Sequence, residues 1–333
     1  MSRSAWCEHA ELIRLATGVK TVAGRRDRQF LFVLESQVKS RPIPYYGGKA
    51  KIASRIVKLL PPHTVYVEPF VGGGAVLFAK GHPDATNTDH YREVINDKNE
   101  ELVALYRALQ SDPELLHRLQ QTPYSRSEHS LAKQESGPWA KFVRLAMSFG
   151  NKDSAGWGTA VFATNSAASW AKRVVDLGAT VERLRCVYIE CDDALAVIQR
   201  WDSPQTVFYC DPPYPGTNQG HYSGYTSDDF NALIECLDGA QGSFVLSNYA
   251  QPGVPDSWQR HEITAHCFAS GAGKVGTSRD KSRAATQKEL GDKKRTEIVW
   301  VVDRSENARP ELRPLLWSPG SGYKNKMAQE VLF

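Results

Sequence analysis

The stretch Thr64–Gly81, with the sequence TVYVEPFVGGGAVLFAKG, contains the three parts of a strand–turn–helix unit. Thr64–Glu68 is rich in β-branched and aromatic residues and predicts a strand. Pro69–Gly74 predicts a glycine-rich loop, and Ala75–Lys80 predicts the start of a helix. Glycines allow a loop backbone to approach a ligand, and the N-terminus of the following helix favours polar groups. The stretch therefore predicts a ligand-binding turn within an α/β fold.

Strand and helix patterns alternate on both sides of this unit. Apolar residues recur at helical spacing in three segments, at 50–60, 100–110 and 228–239. Short apolar runs predict further strands, at 93–96, 186–190, 206–210, 243–248 and 296–302. Strands that alternate with helices predict a mostly parallel sheet with helices on both faces. Residues 111–185 interrupt the alternation, because they are polar, broken by proline and then rich in glycine, serine and asparagine until a helical pattern returns at 171–185.

The glycine loop differs from the common phosphate-binding loops. It lacks the final glycine of GxGxxG, and no Gly-Lys-Ser/Thr follows it. Glu68 comes just before the loop, which disfavours a phosphate and favours a cationic ligand. Asp97 ends the next predicted strand, about 20 residues beyond the glycines, where a carboxylate binds ribose hydroxyls in dinucleotide-binding folds. Glycines alone also suit a plain structural turn, but together with Asp97 they predict a ligand-binding site.

A second unusual stretch is VFYCDPPY, Val207–Tyr214. Asp211 follows the apolar run of a predicted strand, and reactive groups in α/β sheets lie at the carboxyl ends of strands. The two prolines restrict the backbone, so the carbonyl of Pro212 can point beside the Asp211 carboxylate. Two acceptors at one place suit an NH2 group, and the ring of Tyr214 offers a flat face. The alternative is a turn with an N-capping acid, but the whole stretch predicts a site for an aromatic amine.

In combination, these motifs resemble the Dam-like (D12) class of DNA N6-adenine methyltransferases over residues 42–303 or so. PYYGGK resembles the N-terminal cofactor motif of that class, and VEPFVGGG resembles its loop for S-adenosyl-L-methionine (AdoMet). IND resembles the ribose-binding acid, DPPY the catalytic motif and KKRTEIVWV the closing strand. The resemblance implies an α/β fold: a Rossmann-like AdoMet-dependent methyltransferase sheet with an inserted target-recognition region.

The resemblance also implies roles for individual residues. It implies AdoMet-contacting positions at Tyr45, Lys49, Glu68, Phe70, Gly72, Asp97 and Asp193. Among these, Asp97 would bind the ribose, and Asp193, preferred over its neighbour Asp192, would lie beside the cofactor adenine. The target adenine would be held by Asp211, Pro212 and Tyr214.

These last three residues suit the expected chemistry. The adenine N6 lone pair is delocalised into the ring, so acceptors at Asp211 and Pro212 would draw the amine toward a tetrahedral shape and localise it. Positioning and electrostatics then carry the catalysis, and no covalent enzyme intermediate is needed. Because the target atom is inaccessible inside a duplex, the base must flip out, and here it would stack on Tyr214.

Two regions are expected to contact double-stranded DNA. Lys274–Arg295 contains eight Lys/Arg and three Asp/Glu, a net charge of +5, and predicts a mobile loop that contacts phosphates or is simply solvated. Base-reading groups are expected in the insertion, at Asn151, Lys152, Trp157, Asn165 and Trp170. The insertion lacks the arginine–aromatic–asparagine stretch common in members that read GATC, so that specificity is not transferred.

We expect four parts in the chain: an extension at 1–40, the AdoMet-binding catalytic domain at 41–110 and 186–305, the target-recognition insertion at 111–185 and a tail at 306–333. The tail ends in Gln329, Leu332 and Phe333, a Q-x-x-L-F pattern that resembles peptides docking on bacterial sliding clamps. A tail that folds back on its own core, or that has no role, is the alternative.

The resemblance implies a cytoplasmic, nucleoid-associated enzyme of bacterial or phage type, and the composition is compatible with it. The chain has 333 residues, of which 41% are hydrophobic and 23% charged, with a net charge of +4. No apolar run approaches the roughly 20 residues that span a bilayer, and we find no secretory signal. The six cysteines form no CxxC pair, so we expect reduced thiols and no metal site.

Two rival functions stay open from the sequence. The same fold could act on another acceptor, such as cytosine N4, RNA or a protein amide, although Asp rather than Ser or Asn before PPY favours adenine. Alternatively, the chain could be a catalytically silent DNA-binding module, which the intact Asp97, Asp211 and Tyr214 disfavour.

Overall fold

The computed structural model describes residues 42–45, 47–81, 91–158, 165–215, 224–249, 251–267 and 293–310. In these ranges, seven strands form one sheet: β1 Val65–Glu68, β2 Arg92–Asn96, β3 Val187–Glu190, β4 Thr206–Cys210, β5 Ser243–Asn248, β6 Gln259–Cys267 and β7 Lys293–Val302. The α-helices are α1 Ala53–Val57, α2 Ala75–Lys80, α3 Glu100–Ser111, α4 Pro113–Gln121, α5 Arg126–Gln134, α6 Pro138–Met147, α7 Ser166–Leu184, α8 Ala194–Trp201 and α9 Ser227–Asp238. Short 3-10 turns follow at Phe149–Asn151 and Ser305–Asn307.

The strand order is β3-β2-β1-β4-β5-β7-β6. β1 to β5 are parallel, whereas β7 is antiparallel to both β5 and β6. The predicted mostly parallel sheet is confirmed, and this order and mixture of directions agree with the expected Rossmann-like methyltransferase fold. β6 was missed from the sequence, because its apolar residues are interrupted by His261, Glu262 and His266.

The sheet separates two hydrophobic clusters. Because successive strand residues point to opposite faces, Val207 and Tyr209 enter one cluster and Phe208 and Cys210 the other. The first cluster also contains apolar residues of α1 to α7, and the second contains residues of α8 and α9. The strands are therefore covered on both faces, and the groups that can meet a ligand are those at the strand ends.

The region at 113–184 is largely helical. The prolines at 113 and 138 begin α4 and α6 rather than break structure, as the first position of a helix tolerates a residue without an N–H. α3 packs against α6 and α7. The buried carboxylate of Glu93 in β2 pairs with Lys80 of α2 at 3.0 Å and with Arg183 of α7. These contacts join the helical region to the sheet.

The placement of the expected base readers needs two corrections. Trp170 is buried in α7 near Phe142 and donates from Nε1 to the carbonyl of Thr122 at 2.8 Å, so it is a core residue and not a wedge. The Asn165 side chain accepts from the amide of Ala168 and caps α7. Both lie at the start of a helix that begins earlier than the apolar pattern predicted.

The other expected readers lie between α6 and residue 158. Asn151 has a positive φ of 57° and its side chain donates to the carbonyl of Leu145 at 3.0 Å. The ring of Trp157 is half-buried beside Tyr124, and the Arg126 guanidinium lies 4.7 Å from its centroid. Lys152 is half-exposed in the same turn. Their role as base readers stays a prediction.

Several predictions concern residues outside the described ranges: the extension at 1–40, the basic segment from 274 to 292 and the motif Gln329, Leu332 and Phe333. The loop prediction was wrong for Lys293–Arg295, whose backbone pairs with Ala265–Cys267 as the start of β7. The resemblance of KKRTEIVWV to the closing strand of the family had already implied a strand at these residues. In the described ranges, no helix is long and apolar enough to cross a membrane, and no group of three or more His, Cys, Asp or Glu side chains is arranged to hold a metal ion.

Candidate active site

The carboxyl ends of the five parallel strands lie at one edge of the sheet, and the predicted site residues follow them. The segments that leave β1, β2, β3 and β4 carry the glycine loop, Asp97, Asp193 and Asp211, respectively. β1 lies between β2 and β4 in the sheet, so the glycine loop is central among them. This is the place where open α/β sheets bind ligands.

The glycine loop brings its backbone very close to neighbouring atoms. A Cβ atom on Gly73 would lie 2.9 Å from the carbonyl oxygen of Ile43 and 3.0 Å from Cβ of Tyr45. Gly72 and Gly74 have positive φ angles of 48° and 64°, a region that favours glycine. Tyr45 is therefore beside the loop, and the loop cannot take larger residues; the cofactor role of Tyr45 stays a prediction.

Asp97 fastens the glycine loop to the end of β2. Its carboxylate accepts from the backbone amides of Gly72 at 3.0 Å and Asn99 at 2.9 Å, and it is buried. Burial raises the pKa of Asp97 above its ordinary value, although these two hydrogen bonds act in the opposite direction. A carboxylate has about four lone-pair positions, so acceptor capacity for hydroxyl groups of a ligand is left.

Asn96, which sequence reasoning missed, connects three strand ends. Its side chain donates to the carbonyl of Pro69 at 2.9 Å and to that of Asp192 at 3.0 Å, and it accepts from the Asp192 amide at 2.9 Å. Asn96 is fully buried. A polar residue directly after the apolar pair Val94 and Ile95, at the last position of β2, was the available signal.

Glu68 is buried at the end of β1, directly before the glycine loop. It accepts hydrogen bonds from the hydroxyl of Tyr66 and from the backbone amide of Leu77. Burial raises the pKa of Glu68 to about 8, and these hydrogen bonds only partly offset the effect. A carboxyl group in this state can become charged when a cation arrives beside it.

Asp193 lies at the periphery of the site. Its carboxylate accepts from the amide of Leu195 at 2.9 Å and caps α8, while its side chain remains half-exposed. The carboxylate of Asp192 instead pairs with Arg200 at 2.7 Å. Asp193 also lies 3.6 Å from Nζ of Lys98, so both acids have an ion-pair partner, and the preference for Asp193 stays a prediction.

The catalytic motif is joined to the N-terminal cofactor motif by an ion pair. Nζ of Lys49 lies 2.7 Å from Oδ1 of Asp211 and also donates to the hydroxyl of Tyr214. Burial alone would lower the pKa of Lys49, but nearby carboxylates raise it above its ordinary value, so the ammonium is charged. Lys49 was expected at a cofactor position, and the structure brings it to Asp211.

Glu297 of β7 was missed from the sequence. Its carboxylate lies 3.3 Å from Nζ of Lys49 and accepts from the hydroxyl of Tyr214. It is 9% exposed, and burial raises its pKa. A single acid within the apolar run TEIVWVV was the signal, since a charged residue in a central strand needs a partner.

An aromatic wall completes this part of the site. The ring of Tyr249, which follows β5, lies edge-to-face against the ring of Tyr214 with a centroid distance of 4.6 Å. Asn248 is fully buried next to it and accepts from the Tyr249 amide at 2.7 Å. Pro212 is buried between these strand ends. The predicted flat face at Tyr214 thus has a second ring beside it.

AdoMet, which the family resemblance implies, can be tested against these residues. The ring of Phe70 lies edge-to-face with that of Tyr225 at 6.4 Å. The hydroxyl of Tyr225 is buried and has no hydrogen-bond partner among the described residues. This part of the site thus combines an aromatic pair, an unsatisfied hydroxyl, the glycine loop and the carboxyl groups of Glu68 and Asp97. Such a combination fits a cationic nucleoside.

The sheet has the Rossmann-like α/β architecture that was expected from the sequence. Residues 45–156 match the model of the D12 class N6 adenine-specific DNA methyltransferases. This part of the chain is therefore similar to the domain of that class. The matched range includes the glycine loop and Asp97, whereas Asp211, Tyr214 and Glu297 lie beyond it.

Two curated proteins and one solved structure are among those similar to this chain. The chain is 25% identical over 268 residues to the Retron Ec67 DNA adenine methylase of Escherichia coli, covering 74% of this chain and 88% of the relative. It is 28% identical over 234 residues to the DNA N-6-adenine-methyltransferase of Escherichia phage P1, covering 62% of this chain but only 29% of that protein. A solved rRNA methyltransferase, aviRa from Streptomyces viridochromogenes, is 14% identical over 85% of this chain and 99% of its own, with a TM-score of 0.39.

Proposed function

We propose that the chain transfers a methyl group from AdoMet to the N6 amine of an adenine that has flipped out of DNA. The contact between Lys49 and Asp211 is the observation that carries this proposal. A nitrogen donor already occupies Oδ1 of Asp211 at 2.7 Å, with the Tyr214 hydroxyl in contact. The strand-end acid therefore has the position and environment to bind an amine.

The cofactor half of the site would consist of Tyr45, Glu68, Phe70, Gly72, Asp97 and Asp193. Bound AdoMet supplies an electrophilic methyl group on a sulfonium centre. Glu68 would balance positive charge, and Asp97 would accept from ribose hydroxyls while it holds the glycine loop. Asp193 would lie beside the cofactor adenine, and Phe70 with its partner Tyr225 would offer apolar surface.

The other half would hold the target base. Asp211 and the backbone carbonyl of Pro212 would each accept one hydrogen of the adenine amine, which localises the nitrogen lone pair. The rings of Tyr214 and Tyr249 would contact the base. The acceptors are fixed before the base binds, since Asp211 follows a fully buried strand, and fixed acceptors lower the cost of reorganisation during reaction.

DNA would be the macromolecular partner, and the base would leave the duplex to reach this edge of the sheet. Unstacking costs a few kcal/mol, which contacts with the aromatic rings would partly offset. Lys152 and Trp157, next to α6, and the basic segment that precedes β7 are the regions from which we expect DNA contacts. The recognition sequence is left to experiment.

The test is to express the chain in a bacterial strain without adenine methylation and to sequence its DNA for modified bases. N6-methyladenine at a recurrent sequence is expected, and Asp211→Ala provides the inactive control. Methylated cytosine in the sequenced DNA, or transfer of labelled methyl groups to RNA in a separate assay, would instead indicate another acceptor. Calorimetry with AdoMet separates a silent DNA-binding module, which would show no cofactor binding, from an enzyme tested on the wrong substrate.

A further inference from the structure

The ammonium group of Lys49 lies between two carboxylates. Its Nζ is 2.7 Å from Oδ1 of Asp211 and 3.3 Å from Oε1 of Glu297. The nearer carboxylate is the one that the target amine needs. We propose that Glu297 is a positioning residue that retains Lys49 when an adenine amine displaces the ammonium from Asp211. This inference rests on the proposed function, because it concerns the binding of the amine at the same site.

Competition for Asp211 gives such a residue a role. An amine hydrogen that approaches Oδ1 from the side of Lys49 meets the lone pair that the ammonium occupies, and in that pose Lys49 would release this oxygen. Lys49 is 9% exposed. A buried ammonium without a carboxylate is strongly unfavourable, and its release would oppose binding of the base. Glu297 already contacts the ammonium, so a small shift of the lysine side chain keeps it paired.

The placement of Glu297 suits a fixed counter-ion. It comes from β7, in register with Ile263 of β6, and its strand neighbours on the same face, Val299 and Val301, belong to the hydrophobic core. The strand backbone is held by hydrogen bonds on both sides, from β5 and β6. The carboxylate is thereby presented from the antiparallel strand, independently of the segment that carries Asp211.

Glu297 also orients Tyr214. The Tyr214 hydroxyl has one proton, which it donates to Glu297, and it accepts from Lys49. Its oxygen lies 3.2 Å from Oδ1 of Asp211. Release of Asp211 by Lys49 would leave the contact between Tyr214 and Glu297 in place. The ring that receives the base therefore keeps its position while the lysine moves.

Two substitutions separate charge from shape. Glu297→Gln keeps the size and an oxygen that can accept from Tyr214, but it removes the negative charge that holds Lys49. Glu297→Asp keeps the charge on a shorter side chain. The matched control is Glu262→Gln on the adjacent strand β6, where the side chain is half-exposed and pairs with Arg260. Thermal unfolding of each purified variant checks that it is folded.

The readout is single-turnover transfer of labelled methyl groups from AdoMet to DNA of the unmethylated strain, with AdoMet affinity measured by calorimetry. For Glu297→Gln we expect the rate to fall by about tenfold or more, but by less than the 10²–10³-fold loss that is typical when a direct transition-state contact is removed. The AdoMet dissociation constant of this variant should stay within about twofold of wild type. Glu297→Asp should recover most of the rate, and Glu262→Gln should resemble wild type.

The opposite ranking would overturn the inference. If the isosteric Gln variant transfers methyl groups within about twofold of the wild-type rate while the shorter Asp variant is slow, Glu297 acts through shape alone. An equal loss of AdoMet affinity in the Gln variant would also overturn it. If the wild-type protein methylates no adenine, the proposed function itself is refuted. If wild type is active and the Gln variant is unaffected, only the role of Glu297 is refuted.

Discussion

Nζ of Lys49 and Oδ1 of Asp211 lie 2.7 Å apart although the two residues are separated by 162 positions in the chain. The contact joins the segment before the first strand to the end of the fourth. It places a cation where we propose that a neutral amine binds. The ammonium of Lys49 and the carboxylate of Asp211 thus balance each other's charge where little of either side chain is exposed.

Replacement of Asp211 by alanine should nearly abolish methyl transfer. The change removes the acceptor for the target amine, and the loss of one such contact typically lowers the rate by about 10²–10³. AdoMet affinity should change little. Asp228→Ala, at an exposed position in the first turn of α9, is the control. A single-turnover rate within tenfold of wild type would contradict the proposed role.

Replacement of Asp97 by alanine should instead weaken AdoMet binding. The substitution removes a charge-assisted acceptor, worth about 1.5–3 kcal/mol, and it also releases the amide of Gly72. Calorimetry measures the dissociation constant. Asp97→Asn keeps one acceptor oxygen for the loop and should be affected less. If both variants bind AdoMet as tightly as wild type, the cofactor is not located beside Asp97.

AdoMet binding at pH 7 should release a proton from Glu68. The pKa of this carboxyl is about 8 before binding, so it is largely protonated at pH 7. A cation beside it favours the charged form and lowers the pKa, and up to about one proton then leaves.

Calorimetry in buffers of different ionisation enthalpy counts the released protons. Glu68→Gln should bind AdoMet without proton release. A binding enthalpy for wild type that does not depend on the buffer would show that Glu68 stays protonated, or that it is distant from the cofactor charge.

Replacement of Glu93 by glutamine should strongly destabilise the fold. Although burial alone would raise it, Arg183 and Lys80 lower the pKa of Glu93 to about 2. Removal of its charge leaves two buried cations without a counter-ion, at a cost of about 3–5 kcal/mol. Urea unfolding at pH 7 measures the difference.

The pH dependence of the Glu93 contribution has a defined sign. A carboxyl whose pKa is lowered on folding stabilises the protein above its ordinary pKa of 4.5 and loses this effect as the pH falls toward 2. The gap between wild type and Glu93→Gln should therefore narrow below pH 4.5. Glu182→Gln, which loses an exposed pair with Arg185, should change the stability by less than about 1 kcal/mol.

The elements that form the sheet and the cofactor loop were predictable because their signals are local. The glycine loop, Asp97 and Asp211 each follow an apolar strand directly, and the parallel arrangement places such ends together. Asp112 and Ser125 are capping residues that mark the starts of α4 and α5, but the prolines around them obscured the helical pattern in the sequence.

The missed residues act through contacts between distant parts of the chain. Glu297 reaches Tyr214 across 83 positions, and Asn96 reaches Asp192 across 96. No local periodicity encodes such pairs; only the strand order brings them together. Trp170 was misjudged for the same reason, because its burial depends on Thr122, which follows α4, and on Phe142 of α6.

The hydrophobic cluster that the helices at 113–184 share with the sheet has a consequence for protein engineering. Leu119, Phe142 and Leu177 belong to the same core as Tyr66 and Val207. Exchange of this whole region between relatives would remove the apolar side chains that cover one face of the sheet. The incoming region would therefore need core residues that match those of the sheet. Altered sequence preference is therefore more accessible through surface turns, such as residues 148–158, than through exchange of a complete cassette.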